Sequence, residues 1–355
     1  MTISKELESS QSRFPMISFL VALIGTALSM WGASWDITSH LLRTPETFFT
    51  PSHGVLYLGV GISVASAALS LLLMRNKKRR TSNLAISFKL ILIGTLIQII
   101  AGPGDFFWHE QFGIDGLLSP THITLALGIM MVLIGAVIGL GRLYLNSINR
   151  RFLRIIVPIS FGIFWFSVMW LIFFFVLPIS EGDTHNFNPD PVVAIVLGTA
   201  VIPFAFSVVF WSSFRTMGTF GAASAAALSF ITMNITSNIL TSEGLLNYLP
   251  WFIAPMVCAV GADYLLNNGS NITKHYAKLS GIMLGSMFFL FCFPMLSMSF
   301  LEFYVYNDVF PYDVLPSSPD TVFSIWLMTI VPGAISGMFG MMFASKKIKF
   351  NETKA

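Results

Sequence analysis

The chain is a succession of uncharged apolar runs, each about 20 residues long, separated by short polar stretches. A helical run of that length crosses the roughly 30 Å hydrocarbon core of a bilayer. A segment surrounded by lipid must satisfy its own backbone hydrogen bonds, and none of these runs shows the period-two alternation of a barrel strand. The expected fold class is therefore an all-α polytopic membrane protein. Runs are read at 16–36, 54–74, 84–107, 120–141, 153–177, 192–213, 218–240, 247–267, 279–301 and 322–344, about ten transmembrane helices. Only 10% of the 355 residues are charged, against roughly a quarter in soluble domains.

The placement of the charges sets an orientation. Arg75, Lys77, Lys78, Arg79 and Arg80 follow the second run, Arg142, Arg150, Arg151 and Arg154 the fourth, Arg215 the sixth, Lys274 and Lys278 the eighth, and Lys346, Lys347 and Lys349 the last. The alternate loops are acidic or neutral. The positive-inside rule then predicts a multi-pass cell-membrane protein with both termini cytoplasmic. Short basic runs at span ends read as topology determinants, and no nucleic-acid partner is expected. The first run, after Arg13, is longer than the apolar stretch of a signal peptide and is read as a retained span.

Within this frame one pattern occurs twice. Asp36, His40 and His53 are spaced D-x3-H-x12-H, and so are Asp105, His109 and His122. The same spacing that relates the two motifs also brings Gly25-Thr26 onto Gly94-Thr95, Pro51 onto Pro120 and Gly59 onto Gly128. The N-terminal part therefore reads as a duplicated helical hairpin. Four residues are a little over one helical turn, so each Asp and its first His share a face. The second His falls in the first turn of the next helix, behind Thr50-Pro51 or Ser119-Pro120, an N-cap followed by a proline suited to the first helical position. One carboxylate and two imidazoles suit copper, zinc or iron and leave coordination positions open. Ionisable groups at membrane depth are costly, which favours a functional reading.

Other chemistries fail at the level of motif. His109-Glu110 starts like HExxH, but Gly113 stands where the second histidine is needed. Neither a G-x-S-x-G elbow nor a Walker loop is present. Cys258 and Cys292 lie in apolar runs without a metal or disulfide spacing and read as inert. Pro45 and Pro51 interrupt the continuous helices on which paired histidines would clamp haem, so haem binding is a lesser alternative.

The D-x3-H-x12-H spacing, at the end of one membrane helix and the start of the next, resembles the metal motif found in one of the membrane-embedded subunits of the copper membrane monooxygenases, the particulate methane and ammonia monooxygenases. The resemblance covers the motif regions, about a third of the chain. It implies copper at Asp36, His40 and His53 and at Asp105, His109 and His122. It also implies an oxygen-activating oxidoreductase acting on a small apolar substrate with other membrane subunits as partners. Copper transport or assembly without catalysis is the alternative.

The organisation expected is a disordered cytoplasmic tail at 1–13, duplicated metal-binding hairpins at 14–145 (14–76 and 83–145), and a remaining transmembrane bundle at 150–345. Both hairpins start on the same side, so the repeat axis runs along the membrane normal and sets both motifs at one depth. Six ligands meeting in one polar pocket is the arrangement expected. Asn234, Thr236, Ser237 and Asn238 either line a cavity or hydrogen-bond a neighbouring helix. His185 is read as an incidental loop residue and His275 as a surface one, and the loop 303–320, with Tyr304, Tyr306 and Tyr312, suits a lid. Weak echoes of the motif at Asp263 with Asn267, and at Glu302 with Tyr306, lack the final histidine and are not counted as sites.

Overall fold

A computed structural model describes residues 2–41 (side chains from 13 to 39), 50–112, 116–147, 150–177, 188–268 and 274–301 (side chains from 275), and 319–348. Among these residues every regular element is helical. In chain order they are α1 (Thr2–Leu41), α2 (Pro51–Met74), α3 (Lys77–Arg80), α4 (Ala85–Phe112), α5 (Pro120–Asn146), α6 (Leu153–Phe173), α7 (Pro191–Met217) and α8 (Ala222–Ile239). A 3-10 segment (Glu243–Tyr248) follows, and then α9 (Leu249–Ile253), α10 (Pro255–Asn268), α11 (Lys274–Ser286), α12 (Phe288–Phe291), α13 (Met295–Leu301) and α14 (Pro319–Lys347).

Eight runs among the described residues are long and apolar enough to cross a membrane: Arg13–Ser39, Pro51–Met74, Ala85–Phe112, Pro120–Asn146, Leu153–Phe173, Pro191–Met217, Glu243–Asn268 and Pro319–Lys347. Two of the runs read from the sequence are not among them. The run 218–240 yields only the 18 residues of α8, and the run 279–301 is divided among α11, α12 and α13. The residues before Arg13 also differ from expectation, because α1 starts at Thr2. Lys5, Glu6, Leu7 and Gln11 are good helix formers and no proline or glycine precedes Pro15, so a helix nucleated in the apolar run propagates back through them.

The chain forms two compact units. The first contains Met1–Ala33, Thr47–Gln111 and Pro120–Ser160; the second contains Ser34–Glu46, Phe112–Ser119 and Phe161–Ala355. In the first unit small residues let backbones meet, as they do in many membrane helix pairs. A Cβ on Gly25 would stand 2.8 Å from the Gly59 carbonyl oxygen, and one on Gly94 would stand 2.6 Å from that of Gly128. Gly59 in turn faces Ser29, and Gly128 faces Gln98. Each contact of the α1–α2 pair thus recurs in the α4–α5 pair at the spacing that separates the two motifs. Ser18 and Ser66 exchange hydrogen bonds, while at the matching place the Ser87 carbonyl faces Gly135. Phe19 and Phe88 occupy matching positions too, and they stack on one another with ring centroids 5.0 Å apart and planes 23° from parallel.

The second unit has an aromatic core. Trp165 is fully buried against Phe206, Phe210, Phe230 and Phe291. Helix α11 lies against α14 through Gly281, Gly285, Gly333 and Gly337, where any Cβ would collide with opposing backbone. The breaks between α11 and α13 have a local cause: Pro294 cannot donate to the helical ladder. Carbonyls released there are taken up from α8, where the Asn234 amide donates to the Phe291 and Phe293 oxygens at 3.3 and 2.7 Å. Farther along α8, Asn238 accepts from Thr38 at 3.1 Å and Ser237 pairs with Ser34 at 2.8 Å, both on the last turns of α1. Of the two readings of this polar cluster, hydrogen bonding to neighbouring segments is the one seen for Asn234, Ser237 and Asn238. Thr236 bonds back to Thr232 within α8.

Candidate metal centre

Helix α4 continues past Pro103 to Phe112 and so carries both Asp105 and His109 on its last turns, one turn apart. A Cβ on Gly102 would meet nothing within 4 Å, and one on Gly104 only Thr121 at 3.9 Å. The backbone around Asp105 is therefore uncrowded. Helix α5 starts at Pro120, which lacks an N–H and fits the first turn, and this places His122 at the third helical position. The end of one helix and the start of the next supply three side chains to one place, as the spacing suggested.

Their polar atoms converge. His109 Nε2 and His122 Nε2 are 3.1 Å apart, His122 Nε2 stands 3.3 Å from Asp105 Oδ1, and His109 Nε2 stands 3.7 Å from Asp105 Oδ2. The imidazole centroids are 5.0 Å apart with the rings tilted by 47°. Asp105, His109 and His122 are half-buried, with side-chain exposures of 21%, 35% and 20%. Among the described residues they are the one group of His, Cys, Asp or Glu whose potential donor atoms all lie within 4.8 Å of one another.

The directions matter as much as the distances. Asp105 Oδ1 is buried and takes no properly directed hydrogen bond, although His122 Nε2 is within reach. Two neutral imidazoles facing through Nε2 can bond only if one is protonated there and the other is not. Donors that approach without pointing at one another fit aim at a common point between them. With metal–ligand bonds of about 2.0–2.2 Å, neighbouring donors around one ion lie about 3.0–3.6 Å apart. The measured separations bracket that range, so the residues fit a transition-metal ion.

The first motif is divided between the two units. Asp36 is half-buried on α1 and belongs to the second unit. His40 lies on α1, but its side chain is outside the described residues. His53 belongs to the first unit, in the first turn of α2, where Thr50 Oγ1 stands 3.1 Å from Nδ1 and the Tyr57 ring 6.0 Å from the imidazole. Thr50 is the N-cap residue but makes no capping hydrogen bond with its side chain; its hydroxyl orients His53 instead. The shared six-ligand pocket expected from the sequence draws on residues of both units. His185, the 303–318 stretch and the Glu302–Tyr306 echo lie outside the described residues, and His275 is exposed.

Sequence reasoning passed over the role of Asp263. This aspartate is fully buried on α10, and its Oδ2 accepts from the backbone N–H of Gly221 (3.0 Å), the N–H of Ser224 (2.9 Å) and the Ser224 hydroxyl (2.8 Å). It caps the start of α8 from another helix, a task that Gly221, at φ 90°, has no side chain to perform. The signal in the sequence was a lone aspartate inside an apolar run. Its partners lie 42 and 39 positions away in the chain, beyond any local pattern. Compared with known protein families, with curated proteins and with solved structures, the chain matches none.

Proposed function

We propose that this is an integral membrane metal-binding protein in which Asp105, His109 and His122 hold one transition-metal ion at the end of the α4–α5 hairpin. The observation that carries the reading is the convergence of three donors from two helices with a buried carboxylate oxygen left without a hydrogen bond. Asp36, His40 and His53 form the corresponding ligand set on α1–α2. The Gly25–Gly59 and Gly94–Gly128 contacts and the Phe19–Phe88 stack support a duplicated hairpin.

Copper is the metal suggested by the resemblance to the copper membrane monooxygenases, and zinc or iron would accept the same donors. Three protein ligands leave positions open for oxygen. That suits activation of oxygen against a small apolar molecule in company with other membrane subunits. A second role, copper uptake or delivery without catalysis, is favoured by the exposure of His109, the most accessible of the three ligands.

Metal content decides the central point. Wild type purified from membranes should carry copper, zinc or iron, and the His109→Ala/His122→Ala double variant should lose most of it. Equal content in the two preparations, both eluting as folded protein, removes the assignment.

A further inference from the structure

At the other end of α4 from the proposed metal centre, the first unit gathers cations without counter-ions. From 71 to 89 and from 139 to 160 the sequence contains no Asp or Glu, while the first stretch includes Arg75, the four consecutive cations of α3 and Lys89. The connection between α2 and α4 is ordered. The Asn76 side chain accepts from Lys78 N at 3.0 Å and the Ser82 hydroxyl donates to the Arg79 carbonyl at 2.7 Å. From α5, the Arg142 guanidinium donates to the Asn83 carbonyl and ties the second basic stretch to the first.

Two features point to the kind of ligand. Arg79 is half-buried, and its Nη1 is buried without an acceptor. Leaving a guanidinium donor unpaired away from water is costly, and an anion would relieve the cost. Apolar side chains also stand exposed one turn or less from the cations: Leu71, one turn before Arg75 on the same helical face, is 54% exposed, Leu72 55% and Ile86 44%. A soluble anion makes no use of such side chains. A phospholipid uses both, with its phosphate at the cations and its acyl chains along α2 and α4.

We propose that this surface binds an anionic phospholipid, with Arg79 taking the headgroup phosphate and Arg75, Lys77 and Lys78 adding attraction. The proposal is independent of the metal centre. Full-length protein in a mild detergent is titrated with phosphatidylglycerol and, in parallel, with phosphatidylcholine, and bound lipid is counted by native mass spectrometry. Phosphatidylglycerol should be retained in preference, and Arg79→Gln should weaken its retention about fivefold, the effect of one cation near an anionic surface. Lys77→Gln/Lys78→Gln, at two exposed positions with little risk to folding, should weaken it at least as much. Equal retention of the two lipids by wild type overturns the proposal, as does unchanged phosphatidylglycerol binding in the Lys77/Lys78 variant. Tighter binding of an RNA oligonucleotide than of phosphatidylglycerol would assign the surface to a different ligand and overturn it equally.

Discussion

Asp105 and Asp263 are both aspartates on membrane helices, and their partners separate them. Asp105 faces two histidines across a half-open site, whereas Asp263 is sealed against the first turn of α8. Replacing Asp263 by alanine would leave the Gly221 and Ser224 N–H groups buried without acceptors. We expect that to cost about 1–3 kcal/mol of stability, seen as a lowered melting temperature with unchanged metal content. Asp105→Asn should do the reverse, lowering metal content with little loss of metal-free stability. The sequence made the Asp105 site legible because its geometry is local: an interval of four on one helix, and a proline that fixes the first turn of the next. Asp263 was illegible because its role depends on a chain crossing that no nearby residue records. His53 lies between these cases, since its place on the first turn was readable but the diversion of the Thr50 hydroxyl from capping to the imidazole was not.

Among the elements, apolar length gave the straight helices and hid the interrupted ones. Hydropathy reads 279–301 as one span because the residues at the breaks, among them Phe288, Phe291 and Phe293, are as apolar as those within the helices. What divides the run is Pro294 together with the Asn234 amide that receives the released carbonyls. The hairpins are governed by glycine. At Gly128 even a Cβ would stand 2.9 Å from the Gly94 carbonyl oxygen, so Gly128→Val must push α4 and α5 apart. Overpacking of this kind costs about 1–3 kcal/mol. The separation should also draw His122 away from Asp105, so metal content should fall although no ligand has been changed. A variant that loses stability but keeps wild-type metal would show that the glycine crossing does not set the ligand geometry.

For the molecule as a whole, the eight long apolar runs of the structure and the ten of the sequence are both even numbers, and each leaves the two termini on one side of the membrane. Loop charges place that side in the cytoplasm. Reporters fused after Arg80, after Arg154 and at the C-terminus should therefore score as cytoplasmic, and one near Glu181 as external. A C-terminal reporter scoring as external would require an odd number of crossings. The two ends of the first unit would then face different compartments, with the basic surface toward the cytoplasmic leaflet and the Asp105 motif toward the outer aqueous phase.

The stacked pair Phe19 and Phe88 bears on how such a chain could arise. Two identical peptides that associate about a twofold axis touch, at the axis, through the same residue from each copy. Phenylalanine meeting its own counterpart is what a homodimer of hairpins leaves behind once its halves are fused into one gene product. Fusion releases the halves from identity. Ser29 in one copy already corresponds to Gln98 in the other, and Ser63 to Val132. A symmetric dimer must bind the same ion twice, whereas a fused one lets the Asp36 and Asp105 motifs diverge in metal, in occupancy or in task.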